Sequence, residues 1–84
     1  MMRLAISGGA ERDLKRLSPE VAARVSAVID ELPRNARPRG CLLLRDCEPP
    51  TWRIRVGDWR VLYEIDDRAG VVTVTGVRHR GKAY

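Results

Sequence analysis

The sequence predicts an α+β fold: a compact antiparallel or mixed sheet of four to five strands, packed with an N-terminal two-helix hairpin. Three observations predict it. Apolar residues recur at helical spacing only in the stretch that ends at Leu32. Segments rich in β-branched and aromatic residues fill the chain after Thr51. Between the two lies Pro33–Gly40, a loop of prolines, glycine and asparagine with a basic edge made by Arg34, Arg37 and Arg39. At 84 residues the chain has room for one domain, 1–84, with a core no larger than a sheet covered by one or two helices.

Arg3 to Ser7 alternates weakly and reads as a short first strand closed by Gly8 and Gly9. Ala10, Leu14 and Leu17 fall at i, i+4 and i+7, one face of a short helix. Ser18-Pro19 then reads as an N-cap followed by proline at the first helical position, with Glu20 placed to meet the helix dipole. Val21, Val25, Val28, Ile29 and Leu32 continue this second helix until Pro33 stops it. Cys41 to Leu44 is continuously apolar, the pattern of a strand buried on both faces, and Asp46 to Pro50 breaks it. Trp52–Val56, Trp59–Ile65 and Val71–Val77 are the remaining strands.

Gly57-Asp58 is a two-residue loop of the type I′ or II′ kind, which sets the hairpin register by pairing Val56 with Trp59. Trp52, Ile54 and Val56 then face Tyr63, Val61 and Trp59 on an apolar side suited to the helices, while Arg53, Arg55, Arg60 and Leu62 occupy the other. Arg55 lies directly across from Arg60. Like charges in that position destabilise a sheet by about 0.2–1 kcal/mol, so the pair is either fully solvated or used. Past Val77 the segment Arg78-His79-Arg80-Gly81-Lys82-Ala83-Tyr84 adds cations, an imidazole and a phenol.

Sixteen Lys and Arg against eleven Asp and Glu leave a net charge of +5, which suits a polyanionic or acidic partner. The excess sits late in the chain, since no acid follows Arg68. All the cations but Lys15 and Lys82 are arginine, a guanidinium that grips phosphate at two points. Two cysteines, Cys41 and Cys47, and the lone His79 fall short of a tetrahedral zinc set, so no metal or other cofactor is expected. No apolar run approaches the roughly 20 residues that span a bilayer, and Met1–Gly8 is too short for a secretory signal, so no membrane partner and a cytoplasmic location are expected.

Taken together, Trp52-Arg-Ile-Arg-Val-Gly-Asp-Trp-Arg-Val-Leu-Tyr-Glu-Ile-Asp-Asp67 and Val77-Arg-His-Arg-Gly-Lys-Ala-Tyr84 resemble the RelE/ParE superfamily of toxins from type II toxin-antitoxin pairs. The resemblance runs in order over nearly the whole chain. It implies the RelE-like microbial ribonuclease fold and a cognate antitoxin with an acidic, flexible segment that wraps and neutralises the toxin. It implies that operator DNA is met only through that antitoxin. For RelE-type members it further implies a metal-independent endoribonuclease that cleaves mRNA in the ribosomal A site and inhibits translation and growth. ParE-type members instead bind and poison DNA gyrase.

Carried over by position, Arg60 matches an arginine that stabilises the scissile phosphate, Arg80 a second phosphate-binding arginine, and Tyr84 a C-terminal tyrosine that orients or stacks on substrate. Arg53 and Arg55 fall where some relatives carry lysines assigned to proton transfer. Guanidinium is too basic for that role, so they are expected to hold phosphates together with Arg78 and Lys82. His79, an imidazole whose type ordinarily titrates near neutrality, is the candidate acid-base group.

Overall fold

The computed structural model describes residues 1–82. Its elements are β1 (Arg3–Ile6), α1 (Gly8–Lys15), α2 (Pro19–Glu31), β2 (Leu42–Leu43), β3 (Trp52–Val56), β4 (Trp59–Asp66) and β5 (Val71–His79), followed by a 3-10 turn over Arg80–Lys82. The five strands form one mixed sheet in the order β1-β5-β4-β3-β2, with β1 parallel to β5 and every other pair antiparallel. Two helices on a mixed sheet is the architecture expected from the sequence. Among the described residues no helix is long and apolar enough to cross a membrane.

Local chemistry accounts for the helices. The Ser18 hydroxyl accepts the Val21 N–H at 3.4 Å, and Pro19 follows at the first helical position. One expectation is corrected at α1. Gly8 and Gly9 do not close β1; they open the helix, because the Ser7 hydroxyl accepts the Ala10 N–H at 3.1 Å and caps it two residues early. Ala10 from α1, Val25 and Ile29 from α2 and Leu32 at the C-cap of α2 pack in one cluster with Val61, Tyr63, Val72 and Val74 of the sheet. Each large apolar side chain so buried contributes about 1.5–3 kcal/mol. Tyr63 brings a polar atom into this core and satisfies it, its phenol donating to the Ala36 carbonyl at 2.8 Å.

The hairpin register is the expected one, with Val56 opposite Trp59, Arg55 opposite Arg60 and Trp52 opposite Tyr63. Gly57 takes φ 60° while Asp58 keeps a negative φ, the type II′ pattern, which only glycine enters without strain at its first position.

Two strand readings are corrected. Cys41–Leu44 is not a strand buried on both faces: only Leu42–Leu43 pairs, and these leucines are 50% and 48% exposed. β2 is a two-residue outer strand of the sheet, an edge position at which both leucines stand half open to solvent. β5 also continues past Val77, because β4 is long enough to pair Arg60 with Arg78 and Trp59 with His79.

The β4–β5 register slips between Leu62 and Tyr63, so that Leu62 faces Gly76, Tyr63 faces Val74, and Thr75 is the extra residue of a bulge. Strict alternation from Val72 and Val74 would turn Arg78 toward the core. The bulge instead turns Val77, only 4% exposed, inward and Arg78 outward.

Candidate functional site

The outer face of the sheet carries the arginines in register. Arg55, Arg60 and Arg78 form one cross-strand row, and Arg53 stands in the next row beside Leu62. Leu62 is only 9% exposed although it faces away from the helices. Further from the turn the face changes sign, with Glu64 and Asp66 on the same side of β4.

The hairpin turn organises the cationic end. Arg60 is braced by backbone, its Nη1 donating to the Trp59 carbonyl at 3.0 Å and the Gly57 carbonyl at 3.3 Å. Among the described residues it pairs with no carboxylate. The backbone N–H of Arg80 donates to the Asp58 carbonyl at 2.8 Å, and its guanidinium lies 3.7 Å from the Asp58 carboxylate, which ties the 3-10 turn to the hairpin. Arg24 of α2 reaches the same turn: a methyl group placed on Gly57 would stand 2.6 Å from its Nη2. Arg60 and Arg80, distant in sequence, thus meet around Gly57-Asp58, with exposed Arg55 alongside. Arg53 is partly buried, with its Nε buried and without a hydrogen-bond partner.

Arg78 is held differently. Its guanidinium folds back to pair with the Asp13 carboxylate of α1 and donates to the Val77 carbonyl at 3.3 Å. The same Asp13 Oδ2 accepts the Val77 N–H at 3.0 Å. β1 pairs only as far as Val74, so this carboxylate completes the β5 edge where no strand remains. Sequence reasoning missed Asp13 as a partner. The signal was an acid at i+3 from Ala10 and i−4 from Leu17, on the flank of the helix's apolar face.

His79 meets Trp59 edge to face, 5.1 Å between ring centres at 82°, and its Nδ1 accepts the Gly81 N–H at 3.4 Å. Between these rings and the C-terminal end of α1 lies a cleft of about 660 Å³, bounded by Asp13, Arg16, Leu17, Trp59, Arg78 and His79. Lys82 ends the 3-10 turn. The expectation at Tyr84 lies outside the described residues.

The arrangement is a row of arginines on the outer face of the sheet and, on the opposite face, the His79 imidazole beside Trp59 in the cleft. Guanidinium groups so displayed have the chemistry to bind phosphate and to stabilise negative charge. The model of the ParE toxin of type II toxin-antitoxin systems matches residues 4–84. Toxin RelG of Mycobacterium tuberculosis is 37% identical over 76 residues, 89% of this chain and 86% of that toxin. The RelBE2 toxin-antitoxin complex of the same organism is similar at a TM-score of 0.83 and 32% identity, over 94% of this chain and 98% of the matched one. The isolated Escherichia coli RelE toxin shares the fold at a TM-score of 0.82 and 20% identity, over 99% of this chain and 88% of that one. The fold and these matches define a toxin of a toxin-antitoxin pair. The chain belongs to the RelE/ParE superfamily, within the family of ParE toxins of type II systems.

Proposed function

We propose that this toxin is an endoribonuclease that cleaves mRNA by attack of a ribose 2′-hydroxyl on the adjacent phosphate. The observation that carries this reading is the convergence of Arg60 and Arg80 on one hairpin turn, with Arg60 braced by carbonyls and free of carboxylate partners among the described residues. In the reaction a new bond forms between the 2′-oxygen and phosphorus, the bond from phosphorus to the next nucleotide's 5′-oxygen breaks, and the products are a 2′,3′-cyclic phosphate and a 5′-hydroxyl. Arg60 and Arg80 stabilise the charge that builds on the phosphoryl oxygens, an electrostatic contribution that this scheme draws from guanidinium groups alone. Arg53, Arg55, Arg78 and Lys82 hold neighbouring phosphates. His79 is the candidate to take the 2′-hydroxyl proton or return one to the 5′-oxygen, and Tyr84 to orient the substrate.

The partner is a cognate antitoxin. The M. tuberculosis RelBE2 toxin was solved with its antitoxin, and an acidic, flexible antitoxin segment complements the +5 charge of this chain. Operator DNA is met through that antitoxin, and the mRNA is met in the ribosomal A site.

The purified protein added to a translation extract cleaves message, and Arg60→Ala and Arg80→Ala each lower cleavage by about a hundredfold or more while keeping the circular dichroism of the parent, the scale of losing one preorganised charge-stabilising donor. Intact message with the parent protein overturns the reading. The family match to ParE toxins supports the second reading, gyrase poisoning. Growth arrest accompanied by DNA damage and intact mRNA is its signature.

A further inference from the structure

We propose that the cleft between α1 and the ends of β4 and β5 is a nucleobase pocket, which takes one unstacked base of the RNA strand beside the arginine row. The inference rests on the ribonucleolytic reading for its substrate class and adds a site to it. Three features of the cleft carry it. Its volume of about 660 Å³ exceeds what one base occupies and leaves room for the attached ribose and phosphate. Its walls are of two kinds: the indole of Trp59 and the side chain of Leu17 offer apolar surface, whereas Arg16 and the Asp13-paired Arg78 present guanidinium groups at its margins. That pairing of a stacking surface with flanking cations is what single-stranded nucleic acid recognition requires, since every base has a π-face and every linkage a negative charge.

The position of Trp59 is the third feature. His79 meets it edge to face, and Arg60 Nη1 is bonded to its carbonyl, so the ring is built into the same strand segment that carries the candidate scissile-phosphate arginine. Arg60 leaves the opposite face of β4, so a base resting against Trp59 meets the arginine row through Arg78, the member of that row that lines the cleft. Among the described residues Asp13 is the one acid lining the cleft, and its pairing with Arg78 offsets its charge, which leaves Arg16 as the net positive charge there.

The test uses the full chain with Trp52→Phe, which leaves Trp59 as the only tryptophan. The probe is a short 2′-O-methyl oligoribonucleotide, which lacks the attacking hydroxyl, compared with a fully abasic strand of equal length and equal charge. The base-containing strand quenches Trp59 saturably and binds about fivefold or more tighter, the lower end of base–aromatic stacking, while the abasic strand binds without changing Trp59 emission. Arg16→Ala weakens both strands and preserves their ratio. Equal responses to the two strands, or no Trp59 response to the base-containing strand, overturn the pocket. Should Trp52→Phe fail to fold, the parent chain labelled with 5-fluorotryptophan gives the same readout from the separate resonance of Trp59.

Cleavage in the translation extract, run alongside, separates the two ideas. Cleavage without a base-dependent Trp59 response removes the pocket alone. A base-dependent response without cleavage removes the nuclease reading and keeps the pocket.

Discussion

The Asp13 carboxylate satisfies an edge N–H of β5 and pairs with Arg78 at the same time. Asp13→Ala removes both and leaves a backbone donor to water or to nothing, a loss of about 1–3 kcal/mol in urea unfolding. Asp13→Asn keeps an acceptor for the Val77 N–H and loses less, so its loss against the parent reports the ion pair with Arg78 and the further loss in Asp13→Ala reports the hydrogen bond to Val77. Tyr63 shows the other way a buried polar group is settled. Burial pushes its phenol above the ordinary tyrosine range, and the hydroxyl is spent on the Ala36 carbonyl. The unfolded chain therefore ionises this phenol first. Its contribution is complete below pH about 10 and falls as the pH rises above that value. Tyr63→Phe is expected to lose about 1–2 kcal/mol at neutral pH, from the orphaned carbonyl, and to show a shallower decline in alkali than the parent. Denaturant midpoints measured from pH 7 to pH 11 check both.

The β3–β4 hairpin was legible because a two-residue Gly-Asp loop leaves one register open to it. Every cross-strand pair from Val56–Trp59 to Trp52–Tyr63 follows from that loop. Gly57→Ala forces a side chain into φ 60° and toward Arg24, at a cost of about 1–2 kcal/mol, and it loosens the turn that Arg60 and Arg80 share. Thermal unfolding checks the first effect, and the salt dependence of RNA binding checks the second. The β5 bulge was not legible. Val71–Val77 reads as simple alternation, and nothing local marks Thr75 as the extra residue. Gly76 is the one trace: a methyl group there would stand 3.0 Å from the Arg78 guanidinium, which folds back over it to reach Asp13 of α1. The Cys41–Leu44 stretch misled because an apolar run does not say whether a sheet continues beyond it.

Across the whole molecule, the net charge of +5 is unevenly displayed, with arginines at the turn end of the outer face and Glu64 and Asp66 at the other. RNA affinity is expected to fall with salt, each phosphate neutralised adding about 0.7 to the log–log slope for a single strand. Arg60→Ala and Arg80→Ala each flatten that slope by about this amount, as fluorescence polarisation across a salt series would show. The Ser18-Pro19 cap, the hairpin register, the outward face of Arg53, Arg55 and Arg60 and the order of elements were determined by the sequence itself, because each is written in residues close together along the chain. The resemblance to a toxin family was equally present in the linear motifs. Only the tertiary structure decided that Arg80 returns to the Gly57-Asp58 turn, that Asp13 holds Arg78, and that α1 and Trp59 enclose a cleft. Those arrangements join residues more than twenty positions apart, and they hinge on one bulge and one strand end, features set by packing between elements rather than by the chemistry of either alone.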